Sequence, residues 1–388
     1  MNFDLSPEQQ AIRESIFKLC AKYDDAYWLE RDRSGEFPED FAAEMAAGGW
    51  LGIAMPTEYG GSGLGVTEAA IMMQAVAESG AGQSGASAIH MNIFGPNPIV
   101  VFGTDEQKRR FLPPLIAGKD RSCFGVTEPN SGLNTSALQT RAEWNGNQYI
   151  VNGRKIWTST AQTANKILMI VRTGDPKPGQ KAADGLSLFY TDFDRDYIEV
   201  TEIEKMGRKC VDSNSVFIDN LPVPPENLLG EEGKGFKYLL HGLNPERVLI
   251  AAEAVGLGRV ALKRAVQYAK ERVVFDRPIG QNQGIQHPLA KCWMDLEAAN
   301  LMMFKAAALY DAGLPCGAEA NTAKYLASEA GYRACEQAVL TLGGMGYAKE
   351  FQVERYFREI MISRIAPVSR EMILNFVSEQ VLELPKSY

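Results

Sequence analysis

The spacing of apolar positions changes twice along the chain and divides it into three segments. Up to about residue 120, apolar residues recur at helical spacing, as in Ile12, Ile16, Leu19 and Cys20. Asp4-Leu5-Ser6-Pro7-Glu8 predicts the first helix start. Ser6 can cap, Pro7 suits the first helical position, and Glu8 suits the positive helix end. A second helix is predicted from near Pro38 and a third from Val66 to Ser79. The run Tyr59-Gly60-Gly61-Ser62-Gly63-Leu64-Gly65 between them follows no strand and precedes no Gly-Lys-Ser/Thr, which makes it a loop and not a phosphate cradle. From 121 to 232 the pattern becomes β-rich: 149–151, 167–171, 186–190, 198–200 and 216–218 are short runs separated by turn residues. They predict a compact antiparallel sheet or barrel, with Asn145-Gly146-Asn147 at a hairpin tip. From 233 to 388 helical spacing returns over about 246–273, 285–312, 318–341 and 350–382, with breaks at Pro278, Gly313-Leu314-Pro315 and Gly343-Gly344. Long helices with short connections predict an antiparallel bundle. The expected fold class is α+β multidomain: an N-terminal helical domain (1–120), a central small β-barrel or sheet domain (121–232) and a C-terminal four-helix bundle (233–388).

Composition narrows the functions open to such a chain. Hydrophobic residues at 45% and charged residues at 23% of 388 are those of a soluble globular protein. A net charge of −8, with no basic arm, argues against a nucleic-acid partner. Met1-Asn2-Phe3-Asp4 does not resemble a signal peptide, and no apolar run approaches the roughly 20 residues that span a bilayer. Six scattered cysteines point to reduced thiols and a cytoplasmic location. The isolated histidines 90, 241 and 287, with no His-Glu-x-x-His or Cys-x-x-Cys, predict no metal site. His90 and His241 are expected to be packed or surface residues.

The candidate chemistry lies in the middle segment. Cys123-Phe124-Gly125-Val126-Thr127-Glu128-Pro129-Asn130-Ser131-Gly132 offers a turn rich in backbone donors, and Ile156-Trp157-Thr158-Ser159 sets a tryptophan among hydroxyls. Together they can grip the polar rim of a flat ring and cover one face, which suits a flavin. With Glu271-Arg272-x-x-Phe275, Gln283 and Leu342-Gly343-Gly344-x-Gly346 in the same order, the whole chain resembles the acyl-CoA dehydrogenases.

That resemblance implies FAD held between the β domain and the bundle. Phe124, Gly125, Val126 and Thr127 would bond the ring edge, Trp157 would pack beside it, and Thr158 and Ser159 would complete the cradle. Gly132 and Leu133 match positions beside the flavin, with Leu133 where the family usually has a serine near the thioester. Arg272 and Gln283 match a pair that reaches a neighbouring subunit's FAD pyrophosphate; Leu340, Gly343 and Gly344 match a glycine-rich turn that approaches the cofactor, and Phe275, Ser369 and Glu371 match further cofactor contacts. Leu340 replaces the usual glutamine. A homotetramer, an acyl-CoA substrate and an electron-transfer flavoprotein as acceptor are implied with them.

Desaturating an acyl thioester requires a base for the α proton while the β hydrogen leaves as hydride to flavin N5. In the resembling family the base is a glutamate near the C-terminus or one on the first bundle helix, as in isovaleryl- and long-chain-type enzymes. Here the first position reads Ile365-Ala366-Pro367-Val368-Ser369, so Glu246 in Leu243-Asn244-Pro245-Glu246-Arg247 is the candidate. Asn244, Arg247, Pro367 and Val368 match the acyl-CoA side. The same residues also compose a structural helix start, with Asn244 as cap, Pro245 in the first turn and Glu246 against the positive helix end. Proline at 367 lacks the N–H that the family aims at the thioester oxygen. The resemblance leaves three other readings: an enoyl-CoA reductase of the carnitine-pathway type, a catalytically impaired FAD-binding subunit, and an alkylation-response relative that binds DNA.

Overall fold

Local capping and burial together account for the first seven helices of the computed structural model, which describes residues 4–176, 178–179 and 181–387. The opening residues Met1–Phe3, considered above for a targeting signal, lie outside them. Helix α1 (Pro7–Cys20) begins as its sequence predicts. Ser6 Oγ accepts from the Gln9 amide at 3.2 Å, and the Ser6 amide donates to Gln9 Oε1 at 3.1 Å, so two otherwise orphaned donors are satisfied. Helices α2 (Asp25–Ser34), α3 (Glu39–Ala47), α4 (Val66–Val76), α5 (Gly82–Phe94), α6 (Asn97–Phe102) and α7 (Asp105–Ile116) follow. Helix α4 stops three residues short of the expected Ser79, where Gly80 takes φ 109° and redirects the chain. The apolar spacing gave no sign of α5, because Gly82-Gln83-Ser84-Gly85-Ala86-Ser87 is poor in helix formers. Tertiary packing makes it helical: all but one of its residues are buried, and a Cβ on Gly85 would lie 3.1 Å from the Trp28 ring.

The middle segment is a sheet with both faces covered. Its strands are β1 (Ser122–Gly125), β2 (Arg141–Trp144), β3 (Tyr149–Ser159), β4 (Lys166–Arg172), β5 (Leu186–Asp192), β6 (Ile198–Glu202), β7 (Ser213–Val223) and β8 (Leu228–Leu229). They run in the order β6-β7-β3-β2-β4-β5-β8, with β1 beside β4. The expected all-antiparallel arrangement is corrected: β1 and β2 pair with β4 in parallel, because β1 enters from α7 and not from a hairpin. The predicted Asn145–Asn147 tip does join β2 to β3, with Asn145 Oδ1 accepting from the Asn147 and Gln148 amides. Strand β4 shows how both faces are covered. Ile167, Met169 and Val171 face a core with Val151, Phe189 and Val216, while Leu168 and Ile170 face Phe111, Leu112 and Leu188.

Helix α8 (Gly235–Glu271) opens the last segment about ten residues before its predicted start and carries Pro245 inside it. An interior proline costs about 3 kcal/mol. Burial of Tyr238 and Leu239 against the sheet, and a backbone approach so close that a Cβ on Gly235 would meet Leu188 N at 2.5 Å, offset that cost. Asn244 is therefore no cap, and Glu246 does not sit at a positive helix end. A short ribbon (β9, Val273–Val274; β10, Arg277–Pro278) leads to α9 (Gln283–Asp311) and α10 (Gly317–Leu342). The single helix predicted over 350–382 is two, α11 (Val353–Ile365) and α12 (Arg370–Gln380). Ala366 before Pro367 is extended (φ −121°, ψ 159°), as the proline ring demands, and Ser369 caps the restart by accepting from the Met372 amide. Helices α1, α2, α4 and α5 share one core with α8, α9 and α10, joining Ile16, Trp28, Met72 and Ile89 to Val255, Leu296 and Ala327. Among the described residues no helix is long and apolar enough to cross a membrane.

Candidate active site

Two groups of residues carry the candidate chemistry, and α5 links them: the Phe94 ring lies 6.2 Å from that of Phe124 and 5.7 Å from that of His90. The first is the cradle foreseen in the sequence, with one change: Phe124 and Gly125 belong to strand β1, and the turn begins at Val126. A buried ion pair fixes that turn. Lys155 Nζ donates to Glu128 Oε1 at 2.9 Å, to the Ile170 carbonyl at 2.8 Å and to the Val126 carbonyl at 3.3 Å. Glu128 also accepts from the amides of Gln139 (2.7 Å) and Thr140 (2.9 Å), and the Ile156 amide binds the Thr127 carbonyl at 2.9 Å. Burial pushes the Lys155 ammonium down to about 8 against the pull of Glu128. Burial likewise works to raise Glu128, but Lys155 and the Thr140 and Gln139 hydrogen bonds outweigh it and hold the carboxyl below its usual range. Sequence reading missed this pair, whose members lie far apart along the chain.

Beside the turn, β3 slips register against β7 between Ile156 and Thr158. The slip puts Trp157 at φ 61° and leaves its side chain 56% exposed. Thr158 stays buried, with its Oγ1 lacking any partner, while Ser159 is only half-buried. Leu133 is also an exposed large apolar residue, and a Cβ on Gly132 would meet open space. Exposed apolar surface flanking an orphaned buried hydroxyl is what a flat ring with a polar edge would cover.

The second group lies on α8 and its neighbours. Glu246 is only 9% exposed and its Oε2 is buried without a partner. Burial pushes its carboxyl up to about 7; Glu253 adds to the rise, and His90, Arg247 and Lys324 oppose it. Arg247 donates to Asn244 Oδ1 at 2.9 Å, and its Nε has no partner. Lys324, buried and pushed down to about 8, donates to the Val368 carbonyl at 2.7 Å and so pins the Pro367-Val368 turn beside Glu246. His90, expected as an ordinary packed or surface histidine, is buried with Nδ1 2.7 Å from Glu253 Oε1. His241 is the ordinary one, stacked edge-on against Phe102. Glu253 and Lys324 carry no motif, so the sequence offered no signal for them.

The remaining candidates lie elsewhere. Arg272 follows the end of α8, 26 positions after Glu246, which at 1.5 Å per residue is about 40 Å along the axis. Phe275, 93% exposed, and the exposed Gln283 share that end of the bundle. Leu340, Gly343 (φ 60°) and Gly344 close α10 there too, Leu340 exposed and both glycines facing open space. Ser369 caps α12, and the exposed Glu371 is bonded to Arg370. One chain thus does not bring all the matched cofactor residues together. Among the described residues no group of three or more His, Cys, Asp or Glu could hold a metal, and all six cysteines are free and buried.

The helical–sheet–helical architecture and the exposed ring cradle are those of a flavin-dependent oxidoreductase. The chain belongs to the acyl-CoA dehydrogenase family, whose N-terminal, middle and C-terminal domains match residues 6–119, 123–221 and 233–382. FAD is the family's cofactor, and the cradle residues fit it. Acyl-CoA dehydrogenase FadE12 of Mycobacterium tuberculosis is 39% identical over 393 residues, covering 100% of this chain and 99% of that one. Subunit CarC of the caffeyl-CoA reductase-Etf complex of Acetobacterium woodii is 34% identical, covering 87% and 88%. Butyryl-CoA dehydrogenase from Megasphaera elsdenii superposes with a TM-score of 0.93 at 32% identity, over 98% of this chain and 100% of that one.

Proposed function

We propose that this protein desaturates an acyl-CoA thioester between its α and β carbons, with Glu246 as the base that takes the α proton. The observation that carries this reading is a buried carboxyl on the bundle helix, poised near neutrality with an unpartnered oxygen, packed against α5, whose Phe94 ring lies 6.2 Å from Phe124 of the cradle strand. At the alternative position stands Pro367, which has neither a carboxylate nor an N–H. The chain is accordingly of the subtype with its base on the first bundle helix. Its domains divide at 120/121 and 232/233.

FAD, when bound, supplies the acceptor for the β hydride. Phe124 to Thr127 would hold the rim of its ring, Trp157 would shield it, and Thr158 and Ser159 would offer hydroxyls to it. Gly132 and Leu133 border the place where ring and thioester meet. Asn244 holds Arg247, which would flank the acyl-CoA, and Lys324 holds the Pro367-Val368 turn, which would lie over the thioester. A base with a proton affinity near neutrality matches general-base work at physiological pH. Desolvation that raises a carboxyl also sharpens its attraction for a weakly acidic C–H.

Arg272, Phe275, Gln283, Leu340, Gly343 and Gly344 serve the FAD of a second copy, because about 40 Å of helix keeps Arg272 away from its own chain's Glu246. A homotetramer built as paired dimers satisfies this, with Ser369 and Glu371 completing the site from the bundle side. Arg272→Ala is expected to weaken FAD by about 10- to 100-fold, the worth of a charged hydrogen bond, measured as the FAD-to-protein ratio after dilution and filtration. Unchanged retention would contradict the two-copy site.

Electrons would leave through an electron-transfer flavoprotein. A second reading, an enoyl-CoA reductase, is favoured by the likeness to the caffeyl-CoA reductase subunit. Both are tested by anaerobic mixing of the yellow holoprotein with straight and branched acyl-CoAs. Flavin bleaching with enoyl-CoA formation supports desaturation. Reoxidation of reduced flavin by enoyl-CoAs, without bleaching by any saturated one, supports the reductase.

A further inference from the structure

One face of α5 is polar although it is buried. Gln83, Ser84, Ser87 and His90 recur at helical spacing and point into the interior, where apolar side chains are the rule. Each is engaged. Gln83 Nε2 donates to Ser363 Oγ at 3.1 Å, and the Ser84 hydroxyl meets Glu359 at 2.5 Å. Ser87 Oγ accepts from Arg208 at 2.9 Å, and His90 Nδ1 meets Glu253 Oε1 at 2.7 Å. The seam has a direction. From the Arg355–Glu359 pair on α11 it passes through Arg208, in the segment between β6 and β7, to Glu253 and His90. It ends at Glu246.

Glu253 lies seven positions after Glu246 in α8, two turns along the same face and about 10 Å away. His90 reaches that face from the adjoining helix and feels both carboxylates. Its second nitrogen, Nε2, is buried without a partner, as are Oε2 of Glu246 and Oε2 of Glu253. His90 and the two glutamates therefore share one buried α5–α8 interface, with the imidazole bonded to Glu253 and an unpartnered polar atom left on each of the three.

We infer that His90, clamped by Glu253, is a positioning residue for Glu246: it favours the ionised form of the base, the form that accepts a proton. The inference rests on the reading of Glu246 as the base. Every charged group facing these residues enters the balance. Glu253 and Arg247 come from α8, Lys324 from α10 and Arg208 from the middle segment, with Glu359 of α11 behind Arg208. Burial alone would strip His90 of its proton, but Glu253 and then Glu246 outweigh it and keep the imidazole above its usual value. Protonated, the ring works against the desolvation that raises the Glu246 carboxyl.

The test is the pH profile of anaerobic flavin reduction in rapid mixing, for wild type, His90→Gln, His90→Lys and Glu246→Gln. His90→Gln removes the cation and is expected to shift the acid limb upward. Its rate then falls about tenfold below wild type near pH 6 and converges with it near pH 9, with FAD content unchanged. His90→Lys restores a cation and should move the limb back toward wild type. An equal loss at every pH, or an unmoved profile, would overturn the inference. If Glu246→Gln reduces its flavin normally, the assignment of the base fails instead. Should the His90 variants not fold, infrared pH-difference spectra of wild type, with Glu246→Gln as blank, address the same point. Coupled titration of the Glu246 carboxyl and a histidine ring supports the inference, and independent titration overturns it.

Discussion

Glu246→Gln is expected to keep its FAD and to reduce it about 10²- to 10⁴-fold more slowly than wild type under acyl-CoA, the usual worth of a general base. Glutamine preserves the size and polarity of the side chain and removes only its ability to take a proton. In wild type the same rate should rise through about pH 7, because only the ionised carboxyl is competent and burial has pushed its proton affinity up to about 7. The stability consequence has the opposite sign. A carboxyl raised from 4.5 to about 7 in the folded chain carries no penalty below 4.5 and its full penalty above 7. Across that window wild type loses about 3 kcal/mol that the glutamine variant keeps. Urea unfolding at pH 5 and pH 8 should show the variant gaining on wild type as pH rises. A pH-independent difference would place Glu246 in a solvated site unsuited to the role.

Lys155→Met should be the most damaging single change in the cradle. It leaves Glu128 buried and ionised without its cation, and breaking a buried pair from one side costs about 3–5 kcal/mol. The three contacts that Lys155 makes also tie the Val126 turn to the sheet. The expected result is a colourless or partly filled protein with a lower unfolding midpoint, measured by flavin absorbance and denaturant titration. The double variant Lys155→Met/Glu128→Gln removes the stranded charge and should recover part of the stability but not the FAD. Full FAD occupancy in Lys155→Met would mean that the turn is held by other means.

How far the sequence could be read depended on whether each signal was local. The Ser6 cap, the β-rich run 167–171 that forms β4 and the Asn145–Asn147 tip are set by neighbours a few residues away, and all three were legible. The start of α8 was not. Asn244-Pro245-Glu246 imitates a helix start, and the helix runs through it because Tyr238 and Leu239 have a sheet to pack on. Pro367, by contrast, divides the last helical pattern, since Ala366 before it must be extended and no comparable burial opposes the break. Helix α5 lacks good helix formers and exists through its contacts. At the site, the cradle motif and Glu246 stood out as sequence, but the surroundings that give Glu246 its chemistry did not. His90, Glu253 and Lys324 come from three helices, and nothing in their spacing foretells that they meet.

Hydrogen exchange at the α carbon tests the central claim most directly. A saturated acyl-CoA that bleaches the flavin is incubated anaerobically with the pre-reduced holoprotein in D₂O, and its mass is followed with time. Reduced flavin cannot accept hydride, so the only chemistry left is removal and return of the α proton. The account predicts deuterium at the α carbon alone with wild type, and none above background with FAD-replete Glu246→Gln. Exchange at the wild-type rate in that variant would contradict it, because some other group would then be the base.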